Sequence, residues 1–161
     1  MFKPILATLG YILSADSRQV LMIHRNKRHD DLHYGKYNGL GGKLEPDEDI
    51  ITGMRREIYE EAGIMAESML LRGTISWPGF GKNGADWFGF IFRIESWHGD
   101  VRTDNAEGTL EWVPRDSLLS LSLWPGDRLF LPMVFDEDPR PFHGCMPYHK
   151  GEIVSWSFQR V

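Results

Sequence analysis

The sequence predicts an α+β protein, a mixed β-sheet flanked by helices, and three observations carry that prediction. Short runs rich in β-branched and aromatic residues recur along the chain, separated by clusters of Gly, Pro, Asp and Ser. One long and one shorter segment of helical period are intermixed with them, a pattern that packs helices on a sheet. A length of 161 residues with 42% apolar side chains is enough for one core, so a single domain over residues 1–161 is expected.

In chain order, Ile5–Leu13 and Gln19–His24 read as strands of a hairpin turned at residues 14–17, Ser-Ala-Asp-Ser. A polar, basic loop over 25–36 follows, then a glycine-dense stretch over 37–44. The spacing predicts a helix over 46–63. Pro46, Asp47, Glu48 and Asp49 suit the positive end of a helix dipole, and Gly63 suits its C-terminal cap. Ile50, Ile51, Met54 and Ile58 fall on one stripe that should face the core. Residues 68–77 and 86–96 read as paired strands across a Gly-rich turn at 78–84. A short strand at 109–113 and a short helix at 114–119 come next. Pro125–Phe135 has helical period, although Pro132 should end or kink it. Residues 142–148 and 153–161 close the chain as a hairpin turned at Lys150-Gly151.

Composition narrows the function. The net charge of −5 lacks the basic footprint of a non-specific nucleic-acid binder, so no stable nucleic-acid partner is expected. It is compatible with a small anionic ligand if the excess acid lines a cleft and divalent cations offset it. The one cysteine, Cys145, excludes an internal disulfide and reads as a small buried hydrophobe. The six histidines show no zinc-like spacing and read as ordinary polar residues. No stretch approaches the roughly 20 apolar residues of a membrane helix, and the opening segment has no cleavage signal. A cytoplasmic protein without a membrane partner is the expectation.

The carboxylates of the long helix are the most informative residues. Glu57, Glu60 and Glu61 stand at i, i+3 and i+4 and so share one edge. Like charges at that spacing cost a few tenths of a kcal/mol per pair, an arrangement that makes sense if a divalent cation binds there. Gly53 lies four residues before Glu57, where a helix interior would favour Ala by about 1 kcal/mol. Its missing side chain should let another backbone approach the acidic edge.

Gly42, five residues, Glu48, seven residues and then Arg56-Glu57-Ile58-Tyr59-Glu60-Glu61-Ala62-Gly63-Ile64 resembles a complete Nudix box. The resemblance implies the Nudix fold, an α/β/α sandwich around a mixed sheet. It also implies hydrolysis of a nucleoside diphosphate linked to another group, with Mg²⁺ or, as a substitute, Mn²⁺. Residue by residue, Glu57, Glu60 and Glu61 match the family's metal-binding acids, and Gly41 the glycine whose carbonyl can join them. Arg56 matches the arginine that orients a helix glutamate, and Glu48 an acid of partly structural role. Glu107 matches by position a late glutamate added to the metal cluster, with Glu111 its competitor. Glu57 is the first choice of general base.

The flanks resemble the MutT-type branch that sanitises oxidised purine nucleotides such as 8-oxo-dGTP. Residues 36–43, Lys-Tyr-Asn-Gly-Leu-Gly-Gly-Lys, match the segment before the box, which makes Asn38 a base contact and Lys43 a substrate-binding residue. An amide donates and accepts at once and so suits a purine edge. Trp124-Pro125-Gly126-Asp127 resembles that branch's Trp-Pro-Asp-Asp segment, which makes Trp124 a stacking partner and Asp127 a hydrogen-bond partner of the base. Gly126 is a departure: it stands where the branch has the first of two aspartates. Trp77 falls where the branch places an aromatic pocket residue. Arg25, Lys27 and Arg28 read either as holding the triphosphate or as a solvated basic loop. The implied activity is a nucleotide pyrophosphohydrolase with 8-oxo-dGTP as the best single substrate. The alternatives are another Nudix substrate (ADP-ribose, a dinucleoside polyphosphate, a capped RNA end) or a non-catalytic nucleotide-sensing module.

Overall fold

The computed structural model describes all 161 residues. Its strands, in chain order, are β1 (Ile5–Leu13), β2 (Gln19–His24), β3 (Tyr37–Asn38), β4 (Leu40–Lys43), β5 (Met65–Trp77), β6 (Trp87–His98), β7 (Thr109–Pro114), β8 (Phe142–Cys145), β9 (Tyr148–His149), β10 (Glu152–Ile153) and β11 (Ser157–Arg160). Two α-helices, α1 (Ile50–Ala62) and α2 (Pro125–Phe135), accompany them.

Period-two alternation in the first hairpin defines two cores. Tyr11 and Leu13 of β1 and Val20 and Met22 of β2 face one, whereas Ile12, Leu21 and Ile23 face the other. Because both faces of the sheet are apolar, both need cover. Met54, Ile58 and Ala62 of α1 close the second core, and Phe130, Leu131 and Val134 of α2 close the first. The result is the α/β/α sandwich with a mixed sheet. Nine strands run in the order β11-β8-β5-β6-β1-β2-β3, with β4 on β1 and β7 on β2. The β1–β6 and β5–β8 ladders are parallel and the others antiparallel. One edge of β1 is divided, with residues 7–10 pairing to β4 and residues 12–13 to β2. That division brings the Gly41-Gly42 segment of β4 under α1.

Several boundaries differ from expectation. Pro46, Asp47 and Glu48 lie outside the long helix, which starts only at Ile50. Asp49 is its N-cap, and one of its carboxyl oxygens accepts from the N–H groups of Ile51 and Thr52 at 2.8 and 2.9 Å. Gly63 closes the helix in the left-handed conformation, as expected. Gly53 makes room for the side chains of Leu44 and Glu48 rather than for another backbone. Helix α2 runs on past Pro132. The bond lost there is offset by burial of Phe130, Leu131 and Val134, and by arginines on the helix's last carbonyls. Arg72 and Arg93 donate to Val134, Arg115 to Phe135, and Arg160 to Met133. The closing hairpin turns at Lys150-Gly151, as expected, but its arms are divided. β8 and β11 pair within the large sheet, and β9 and β10 form a separate ribbon. Pro147, which has no N–H to give a ladder, stands at the break.

Candidate active site

Helix α1 presents its acids unequally. Glu57 and Glu61 are half-buried, whereas Glu60 is exposed, so the edge shared on paper becomes an inner pair and an outer member. Arg56 organises the group. Its guanidinium grips Glu48 with two bonds (3.0 and 2.6 Å) and donates to Glu57 Oε1 at 3.0 Å and Glu60 Oε2 at 3.3 Å. Glu48 in turn accepts the Glu45 N–H at 2.9 Å, so it braces Arg56 and the loop before the helix. Gly42 explains how Glu57 lies so close to the sheet: a Cβ there would stand 2.5 Å from Glu57 Oε1. Gly41 meets the site through its N–H, which donates to Glu61 Oε2 at 3.2 Å.

Glu107 arrives from the loop before β7. Asn105 shapes that loop, accepting from the N–H groups of Glu107 and Gly108 and donating to the Glu61 carbonyl. The negative charge of Glu107 acts on both Glu57 and Glu61. Glu111 is engaged elsewhere, by Tyr37, His24 and Thr109. Burial first, then the neighbouring carboxylates, raises the Glu61 pKa well above the usual range, and burial raises that of Glu57. As the side chains stand, no three acids converge on one point, because each has a protein partner. The donor set is nonetheless all oxygen, crowded with like charge and partly desolvated, which fits a hard divalent cation. Glu57, Glu61 and Glu107 are the residues able to hold one. Arg25 is the only one of the three loop cations at this site, bridging Asp31 (2.8 Å) and Glu107 (3.3 Å). Lys27 pairs with Asp104 and Arg28 lies near Asp30.

Across the sheet, Asn38, Trp77, Trp124 and Asp127 meet in one cavity of about 130 Å³, together with Leu9, His33, Phe80, Trp87 and Tyr148. Asn38 Nδ2 and Trp87 Nε1, on two of the lining residues, are buried without a hydrogen-bond partner. Asp127, in the first turn of α2, has no ion-pair partner, and desolvation raises its pKa to about 7 against weaker opposing pulls from Arg128 and Lys36. Trp124 is fixed edge-on to the loop, its Nε1 donating to His33 Nδ1 at 2.7 Å. Burial, the largest cause, lowers the His33 pKa, so the ring stays neutral and that nitrogen can accept. Lys43 is exposed, with its ammonium 5.6 Å from the centroid of the Trp87 ring at the cavity wall.

A model of the NUDIX domain matches residues 3–134 of the chain. The chain belongs to the Nudix family. It is 29% identical over 128 residues to the oxidized purine nucleoside triphosphate hydrolase of Mus musculus, which covers 79% of this chain and 80% of that protein. The 8-oxo-dGDP phosphatase NUDT18 of the same species is 33% identical over 104 residues, 62% of this chain and 29% of that one. Among solved structures, the Mutator MutT protein from Bacillus halodurans superposes with a TM-score of 0.82 at 28% identity, over 96% of this chain and 97% of that one. The chain is therefore a MutT-like Nudix hydrolase.

Four residues of this Nudix cavity escape a reading of the sequence. His33 looks like any loop histidine, and only its bond to Trp124 distinguishes it. Phe80, Trp87 and Tyr148 carry no periodicity that separates a pocket aromatic from a core one. Their one signal is the number of glycines nearby. A Cβ at Gly79 would stand 2.5 Å from the Tyr148 carbonyl, and one at Gly81 would collide with Trp87.

Proposed function

We propose that this Nudix hydrolase cleaves purine nucleoside triphosphates to the monophosphate and pyrophosphate, with 8-oxo-dGTP as the preferred substrate. The observation that carries the reading is the cavity in which an unpartnered amide (Asn38), a carboxyl (Asp127) and two tryptophans (Trp77 and Trp124) meet. The likeness to a hydrolase of oxidised purine nucleoside triphosphates supports it.

In this reading Trp124 stacks on the base, held in place by His33, while Asn38 and Asp127 take its polar edge. Lys43, beside the cavity wall, contributes positive charge towards the phosphates. Glu57, Glu61 and Glu107, with Glu60 and the Gly41 carbonyl at the margin, would hold Mg²⁺ or, as a substitute, Mn²⁺, which would neutralise phosphate oxygens and lower the pKa of water. Arg56 aims the Glu57 carboxylate, which accepts a proton from the attacking water. The water oxygen bonds to a phosphorus of the α–β bridge and the bridging P–O bond breaks, leaving the monophosphate and pyrophosphate.

One observation favours a second reading. A cavity of about 690 Å³ lies beyond Phe80, Trp124 and Tyr148, with Lys82 and Lys150 on its wall. That chamber suits a larger ligand such as a dinucleoside polyphosphate. Chromatographic quantification of the nucleotide products with Mg²⁺, over 8-oxo-dGTP, dGTP, other triphosphates, ADP-ribose and dinucleoside polyphosphates, separates the two readings. The proposal expects 8-oxo-dGTP to have the highest kcat/KM. Preference for ADP-ribose or a dinucleotide would overturn the triphosphate assignment and leave the hydrolase chemistry in place.

A further inference from the structure

Gly126 stands where the resembled MutT-type branch has the first of two aspartates, and the structure shows what occupies the space. A Cβ at position 126 would lie 2.6 Å from the Tyr148 hydroxyl and would collide with Met146 Sδ. A carboxylate could not be accommodated there unless the C-terminal segment moved. The glycine and the tyrosine are therefore complementary: one gives up the volume that the other fills.

Tyr148 is held firmly in that place. Its N–H donates to the Pro78 carbonyl at 2.7 Å, and its ring meets Phe80 edge-on at 5.0 Å. The side chain lines the cavity with Asn38, Trp124 and Asp127. Its hydroxyl has one hydrogen-bond partner, the Met146 thioether at 3.6 Å, which is a weak acceptor. The hydroxyl proton thus lacks a strong partner.

We infer that Tyr148 supplies the second polar contact to the base, its hydroxyl donating to a carbonyl of an oxopurine while Asp127 accepts from an adjacent ring N–H. This rests on the reading of the cavity as a base pocket. A carboxyl exchanges between donor and acceptor as it titrates, but the phenol does not do so near neutrality. Burial and the nearby Asp127 push its pKa up to about 12. A fixed donor beside an acceptor matches the carbonyl and N–H of a guanine-type edge. The amino group and bare ring nitrogen of an adenine-type edge present the reverse order.

The test is Tyr148→Phe, which removes the hydroxyl and keeps the ring against Phe80. The intact protein and the variant are titrated with two nucleosides, 8-oxo-2′-deoxyguanosine and 2′-deoxyadenosine, by calorimetry without added metal. We expect the oxopurine Kd to rise about 5- to 10-fold, the effect of one lost hydrogen bond, and the adenine-type Kd to stay within about 2-fold. With triphosphates and Mg²⁺, the same change should appear as a higher KM for the oxopurine substrate. Equal oxopurine affinity in the two proteins would overturn the role of Tyr148 and leave the base pocket standing. Failure of the intact protein to bind either nucleoside would overturn the base-pocket reading itself. A second variant, Gly126→Asp, should lower the Tm unless combined with Tyr148→Gly. Toleration of the single change would contradict the complementarity.

Discussion

Glu57 and Glu61 stand four residues apart on one helix, Glu57 braced by Arg56 of the same helix, which Glu48 anchors from just before it, and Glu61 by the Gly41 N–H. Asn38, Trp77, Trp124, Asp127 and Tyr148 come instead from four separate elements, spread over more than a hundred residues of chain. The two sites also differ in electrostatics. At the acidic end, like charges are crowded together and restrained by arginines. At the aromatic end, polar groups are left without partners in an apolar wall. On the proposed reading, the reaction is specified mostly on one helix, with Glu107 added from the loop before β7, whereas recognition is specified by tertiary assembly. A change at the acidic end should therefore alter rate with little effect on selection, and a change at the aromatic end should do the opposite.

The largest effect that would sharpen this comparison is Glu57→Gln. Removing a general base typically costs 10²–10⁴-fold, so kcat should fall by roughly 10³-fold with the Tm nearly unchanged. Stopped assays of pyrophosphate release would detect it, and near-normal turnover would remove Glu57 from the chemistry. Asn38→Ala and Asp127→Ala come next. Loss of one buried polar contact of about 1–3 kcal/mol should change the ratio of kcat/KM between purine substrates by roughly 5- to 100-fold. If either variant left every ratio intact, the comparison would break at its recognition end.

His33→Ala should be milder. Losing the acceptor for Trp124 Nε1 is expected to raise KM about 3- to 10-fold, with an altered tryptophan emission, and His33→Gln should restore part of it. An unchanged emission spectrum would mean that Trp124 does not depend on the loop. The last effect is on stability rather than on rate or selection. The folded pKa of Asp127, about 7, lies above its ordinary 3.8, so the folded state binds the extra proton between those values. Its stabilising contribution is full below about pH 4 and lost as pH rises through about 7. Arg128 and Lys36 pull the pKa down, while Tyr11 and Tyr148 lie within reach of its charge. Measured against Asp127→Asn from about pH 5 to 8, the urea midpoint of the metal-free intact protein should fall as pH rises. A constant difference would mean that Asp127 titrates normally.

The same contrast explains what could be read in advance. The acidic helix was legible because helical spacing converts sequence distance into spatial distance, so Glu57, Glu61 and the Met54–Ile58 stripe follow from the sequence. Even there the helix start was misplaced, because Asp49 competes as an N-cap with the acidic residues before it. The unequal exposure of Glu60 depends on how α1 rolls against β4, which no local pattern records. The first hairpin was legible from alternation, whereas the division of β8–β11 depends on Pro147 and on pairing with β5 and Pro78. Asn38, Trp77, Trp124 and Asp127 could be named only through the family resemblance. His33 and Tyr148, which position or face the same ligand surface, have no local signature and needed the fold.

The most direct test of the separation between the two ends is a titration of the Glu57→Gln protein with 8-oxo-2′-deoxyguanosine without metal, followed by tryptophan emission, with turnover of 8-oxo-dGTP with Mg²⁺ measured on the same preparation. The account predicts a Kd within about 3-fold of the intact protein's affinity, together with the near loss of pyrophosphate release. Affinity lost in step with turnover would contradict it, since the acidic end would then be doing the selecting.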